Sequence, residues 1–223
     1  MRATADLTGI YRILLKRFGP QHWWPGDTPF EVMAGAILTQ NTNWRNVERA
    51  IANLKGAGLL EPRRIGSATN ARLPELVRPS GFFNQKAAYL REYCRYYVAT
   101  YGADVERMRA VSTKRLREEL LSLRGIGPET ADSILLYALG KPVFVIDAYT
   151  RRVFSRHGVL DGRAPYRELQ GRFMSRLPRS ARLYNEYHAL IVRLAKEHCR
   201  KTPICAGCPL SIDNLQSTID NGR

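Results

Sequence analysis

No stretch of this 223-residue sequence approaches the roughly 18 consecutive apolar residues that a membrane-spanning helix needs. The opening Met1-Arg2-Ala3-Thr4-Ala5-Asp6 has no apolar core of the kind that starts a secretory signal. Acidic residues are scarce: 20 Asp and Glu stand against 35 Lys and Arg, a formal net charge of +15. That imbalance favours a polyanionic partner, nucleic acid or an acidic membrane surface. Internal repeats and long linkers are missing, and only Val143-Phe144-Val145-Ile146 looks strand-like. At four residues that run reads better as a buried connector than as a strand. Cysteine is scarce too. Cys94 stands alone, while Cys199, Cys205 and Cys208 lie within ten residues of one another, a clustering that suits a metal better than a disulfide. What remains, 44% hydrophobic and 25% charged residues, excludes a wholly disordered chain. The expectation is a cytoplasmic protein, nucleoid-associated if bacterial, that acts as a monomer away from membranes.

The rest reads as helix. Thr28-Pro29-Phe30-Glu31 has the form of a capping box, with Thr28 at the cap, Pro29 at the first helical position and Glu31 reaching back. Phe30, Met33, Ala34, Ile37 and Leu38 follow at helical spacing. A second helix is expected from about Asn43, with Val47, Ala50, Ile51 and Leu54 inward and Gly56 as its stop. Further helices are expected over about 85–99, 113–123, 128–139, 148–156, 166–176 and 180–199, separated by Gly and Pro clusters.

Leu123-Arg124-Gly125-Ile126-Gly127-Pro128-Glu129-Thr130-Ala131 is the strongest local signal. Gly125 and Gly127 bracket Ile126, and Pro128 opens the next helix. Glycines permit a tight turn and close backbone approach, so the helix start offers N–H groups to an anion such as a DNA phosphate. A plain helix–turn–helix connection is the alternative. Sixteen residues beyond Ala131, the apolar run Val143–Ile146 delivers one carboxylate, Asp147, to the start of another helix. Taken alone, that aspartate could be a helix cap.

Taken together, these segments resemble the helix-hairpin-helix DNA glycosylases of the endonuclease III superfamily, from about residue 25 to Cys208. The resemblance implies an all-α, two-lobed fold: a helical barrel over 29–139 with its hairpin at about 115–139, and a second lobe from 1–28 plus 140–223. DNA would lie between the lobes. It implies that Gly125, Ile126 and Gly127 grip the DNA backbone and that Asp147 is the catalytic carboxylate. Leu38-Thr39-Gln40-Asn41-Thr42 matches the family's early helix end, whose glutamine enters the lesion-side gap or pocket, and Val77–Ala87 matches its middle loop. A lone carboxylate suits the chemistry, because breaking an N-glycosidic bond develops positive charge on the sugar. The base must leave the stack first, so a phosphate grip and a pocket are needed as well.

Two departures from the family matter. Bifunctional members carry a Schiff-base lysine two residues after the second hairpin glycine. Here that position is Glu129, which cannot form an imine. The family's four-cysteine loop holds a [4Fe–4S] cluster, whereas this chain has Cys199, Cys205 and Cys208 within its loop 199–208, with Asn214 at the fourth place. An incomplete iron–sulfur site, a Cys₃His zinc site using His198, and a loop without metal all stay open.

His22-Trp23-Trp24-Pro25 and Trp44 resemble the base pocket of 3-methyladenine DNA glycosylases of the III type. In those enzymes a tryptophan of the pair and an aromatic at the position of Trp44 sandwich a methylated base. Their modified lysine falls on Leu190 here, but Lys196 matches a second pocket lysine. A methylated adenine carries charge that aromatic faces attract; plain packing is the other reading of the tryptophans. The resemblance implies a base-excision-repair glycosylase acting on damaged double-stranded DNA, most simply on an alkylated base and without strand cleavage. A glycosylase/lyase on damaged pyrimidines, using another amine such as Lys196, and a non-catalytic DNA-binding module are the alternatives.

Overall fold

The computed structural model describes residues 6–23, 26–69 and 71–211. Its residues fall into two units, Trp24–Lys141, and Met1–Trp23 with Pro142–Arg223. Helix α1 (Leu7–Phe18) opens the second of these, capped by Asp6, whose carboxylate accepts the N–H of Thr8 at 2.9 Å. The Trp24–Lys141 unit then supplies α2 (Pro29–Leu38), α3 (Trp44–Gly56), α4 (Pro62–Ser67), α5 (Arg72–Val77), α6 (Phe83–Tyr101), α7 (Val105–Ala110), α8 (Thr113–Ser122) and α9 (Pro128–Ser133). Three residues of 3₁₀ helix, Arg78–Ser80, join α5 to α6, and a π turn, Ile134–Ala138, extends α9. The chain returns to the second unit through α10 (Ala148–Arg156), α11 (Tyr166–Met174) and α12 (Ala181–Glu197). Every regular element among the described residues is helical, and none of these helices is long and apolar enough to cross a membrane.

Within the Trp24–Lys141 unit the helices follow their apolar spacing. Thr28 Oγ1 accepts the N–H of Glu31 at 3.1 Å, and Val47, Ala50, Ile51 and Leu54 are buried on α3. The capping box is only half made: the Glu31 carboxylate turns to Lys55 Nζ at 2.9 Å, and a charge-assisted pair outcompetes a backbone N–H. Lys86, in the first turns of α6, is itself buried. Its ammonium donates to Leu38 O at 2.8 Å, where α2 ends with unpaired carbonyls, and to Ser80 O at 2.6 Å. Burial pushes its pKa down to about 8.

The other unit is built on aromatic packing. Phe144 stacks on Phe173 with ring centres 4.2 Å apart, and Phe154, Tyr184 and Tyr187 meet them edge to face. Such pairs contribute roughly 0.5–1.5 kcal/mol each beyond the area they bury. Val143–Ile146 is the expected buried connector. With no neighbouring strand, its backbone turns to side chains: Gln170 donates to Phe144 O at 2.7 Å, and Ile146 N donates to Tyr166 Oη at 3.4 Å.

Candidate active site

That connector ends at Asp147, the N-cap of α10. The backbone there is extended, and Oδ1 accepts the N–H of Thr150 at 2.7 Å. Its side chain keeps 13% of its surface exposed. Burial pushes the carboxyl pKa up, but His188 beside it and the Thr150 N–H favour the charged form, and the net result lies below the usual value. His188, on the buried face of α12, places Nε2 3.4 Å from Asp147 Oδ2. Its ring lies 6.4 Å from that of Trp23, tilted by 41°.

Trp23 lines a cavity of about 240 Å³ with Val192, Gln21, Lys196 and the Arg193–Glu197 pair. Pockets for drug-sized ligands run to roughly 300–1,000 Å³, so this one is smaller than those. The wall is stapled: Arg193 donates to Phe18 O at 3.0 Å, and Gln21 N donates to Glu186 Oε1 at 2.6 Å. Asp147, Trp23 and Lys196 therefore belong to one unit, while Trp24 lies outside the described residues.

The hairpin belongs to the other unit. Gly125 has φ +80°, and a Cβ there would come within 2.3 Å of the Tyr89 ring, so only glycine fits. Ile126 is buried, its N–H donating to Leu123 O at 3.2 Å. Gly127 caps α9 with no side-chain bond, and a Cβ there would stand in open space. Glu129 sits exposed in the first turn of α9. Gln40 braces the hairpin, its Nε2 donating to Gly125 O at 2.8 Å and to Thr130 Oγ1 at 3.2 Å. The amide expected at the lesion is thus bonded to the turn. The indole of Trp44 packs across Gly35, where a Cβ would come within 3.3 Å of the ring.

The thiols of Cys199 and Cys205 lie near enough to Cys208 to disfavour its charged form. Cys199 and Cys208 are buried, Cys205 is exposed, and Cys208 Sγ lies 4.0 Å from His157 Nε2. Among the described residues no three His, Cys, Asp or Glu side chains could hold a metal ion; Asn214 lies outside them. His198 spends Nδ1 on Ile204 O at 3.1 Å, inside the loop. Two guanidinium groups of α10 hold the loop instead: Arg152 donates to Cys199 O at 2.6 Å, and Arg156 to the carbonyls of Arg200 and Lys201. This donor set fits neither a four-thiolate cluster nor a Cys₃His zinc site, and the chemistry below uses neither.

Sequence spacing did not single out His188 or Gln21. The available signal for His188 was one imidazole set in the apolar run Tyr187–Ile191 of a buried helix face.

Residues 34–179 match the family described as HhH-GPD superfamily base excision DNA repair protein. The chain is 51% identical over 202 residues to a protein of Methanocaldococcus jannaschii provisionally named a DNA repair glycosylase, covering 90% of this chain and 92% of that one. Among solved structures it is similar to the Helicobacter pylori 3-methyladenine DNA glycosylase bound to 1,N6-ethenoadenine, with TM-score 0.72 and 34% identity over 85% of this chain and 94% of that one. An endonuclease III–DNA complex shares the fold with TM-score 0.79 at 21% identity, covering 96% and 97% of the two chains.

Proposed function

Because the chain belongs to the HhH-GPD superfamily of base excision DNA repair proteins, and is a DNA glycosylase that binds DNA, we propose that it hydrolyses the N-glycosidic bond of an alkylated purine and leaves the strand intact. Asp147 is the one catalytic carboxylate of this reading. As the C1′–N bond breaks, its electron pair leaves with the base, and positive charge grows on the sugar. A carboxylate held ionised by a helix start and an imidazole stabilises that charge. Water then bonds to C1′, its proton passing to the carboxylate or solvent. The observation that carries the reading is the placement of Asp147: buried enough to act electrostatically, with one oxygen bonded to the backbone and some surface open.

The base class is argued from the cavity. Trp23 offers a stacking face, worth ~1–3 kcal/mol per base. The Lys196 ammonium on the same wall disfavours a cationic base. Among alkylated purines it therefore selects an uncharged adduct such as the 1,N6-ethenoadenine bound by the Helicobacter pylori neighbour. The test is a panel of duplexes, each carrying a single 1,N6-ethenoadenine, 3-methyladenine, uracil or thymine glycol. Excision of ethenoadenine is expected to be fastest, and Trp23→Ala should lower it about 10–100-fold. Activity confined to uracil or thymine glycol would refute the pocket assignment.

One observation favours a second reading, the glycosylase/lyase: Lys196 puts an amine on the cavity wall. Borohydride separates the two. Hydrolysis by water leaves no trapped adduct, whereas a covalent adduct that vanishes in Lys196→Gln would establish the lyase route.

A further inference from the structure

Asp147 has two oxygens with different surroundings. Oδ1 is occupied by the Thr150 N–H, which caps α10. Oδ2 is the oxygen assigned here to a sugar cation or a water, and an imidazole stands beside it, His188 Nε2 at 3.4 Å. We propose that His188 is the positioning residue for Asp147, holding Oδ2 in its working direction and tying the carboxylate to the Trp23 wall of the cavity. The inference rests on the reading of Asp147 as the catalytic group.

Three observations support it. His188 is only 5% exposed and sits on a face of α12 fixed by Tyr184 and Tyr187, both fully buried. Tyr187 in turn donates to Leu7 O at 2.9 Å, so the helix cannot easily rotate. The imidazole also lies near Trp23, at 6.4 Å between ring centres. Finally, the stronger cations nearby are turned elsewhere. Arg151, one turn along α10, gives Nη1 to Gly162 O at 2.9 Å and Ala164 O at 2.8 Å. Arg152 is spent on Cys199 O and Ala195 O.

The chemistry explains why an imidazole is placed there and guanidinium groups are not. A permanent cation in bidentate contact would cancel the charge that the transition state needs. An imidazole presents one ring nitrogen to the carboxylate and does not clamp both oxygens as a guanidinium fork would, so it orients the group without the bidentate contact. Its single donor also leaves the remaining lone pairs of Oδ2 free.

The experiment compares His188→Leu, which removes the donor, with His188→Gln, which returns an N–H near the position of Nε2. Both are assayed by single-turnover excision on the panel duplex that the wild type cleaves fastest, alongside equilibrium binding and thermal unfolding. The Leu variant is expected to lose about 100-fold in rate, the scale of a reacting group displaced by about 1 Å. Its affinity for the duplex should stay within about threefold, and Gln should recover at least about tenfold of the lost rate. In an Asp147→Asn background, His188→Leu should change the residual rate little, because the two act as a unit. Wild-type excision by His188→Leu, with Asp147→Asn inactive, would overturn this proposal alone. Equal losses in Leu and Gln that follow a fall in melting temperature would reduce His188 to a packing residue and also overturn it. Wild-type excision by Asp147→Asn would instead remove the functional reading beneath it.

Discussion

Two short connectors each deliver a helix start, and they are finished in opposite ways. At α9 the cap is Gly127, which brings no side chain to the first turn. At α10 the cap is Asp147, whose own carboxylate takes up the Thr150 N–H. The backbone logic is the same, since both helices present partial positive charge at their first turn. The electrostatic result is reversed: one start attracts an anion, and the other supplies one. In the function proposed above, the first start would face a phosphate and the second a developing sugar cation. A single residue at the cap decides which.

The sharpest way to break the comparison is Asp147→Asn, which keeps the cap and the shape but removes the charge. Excision should fall by at least about 10²–10³-fold, the scale of losing one preorganised electrostatic group, with binding to undamaged duplex nearly unchanged. Converting the other start is the complementary move. Gly127→Asp has room for its Cβ and would fill the α9 start with the protein's own anion. DNA affinity is expected to fall by about tenfold in a filter or anisotropy assay, while melting temperature holds. Gly125→Ala tests the turn beneath it: the left-handed backbone and the Tyr89 ring both oppose a methyl group, and about 1–3 kcal/mol of stability should be lost in a denaturant titration.

The smallest effect is on pH dependence. The folded carboxyl of Asp147 lies below its ordinary value, so its charge stabilises the fold above the unfolded pKa of about 3.9. That contribution is lost as pH falls through the lower folded pKa. The melting-temperature difference between wild type and Asp147→Asn should therefore hold steady from neutral pH to about pH 5 and change only below about pH 4. A difference that moves between pH 6 and 8 would overturn this assignment to the Asp147 carboxyl.

Local signals were legible in the sequence, and distant ones were not. The Thr28 cap, the inward face Val47–Leu54 of α3 and the glycine hairpin each occupy a few consecutive residues, and their physics is local. Helix α1 was also legible, with Leu7, Ile10, Leu14 and Phe18 buried at helical spacing, but the sequence reading passed over it. Helices α4, α5 and α7 have six residues each, too short for a period to show. Asp147 was found because a connector and a helix start adjoin it. Its partner His188 stands 41 residues away, and the bond from Gln40 to the hairpin spans 85. Lys86 leaves no sequence signal either: lysine is ordinarily a surface residue, and its two partners are backbone carbonyls that no pattern marks.

One bond described above carries a consequence for biosynthesis. Tyr187 reaches Leu7 across 180 residues, and α1 buries its apolar face in a unit completed only by α12. A ribosome adding about 5–20 residues per second needs roughly 8–32 s to make the stretch of about 160 residues between the two helices. During that interval the whole Trp24–Lys141 unit emerges and can fold, while the apolar stripe of α1 has no native partner. Until α12 has been made, the nascent chain thus carries an unpartnered amphipathic helix, open to chaperone capture and to misassembly between neighbouring chains on a polysome.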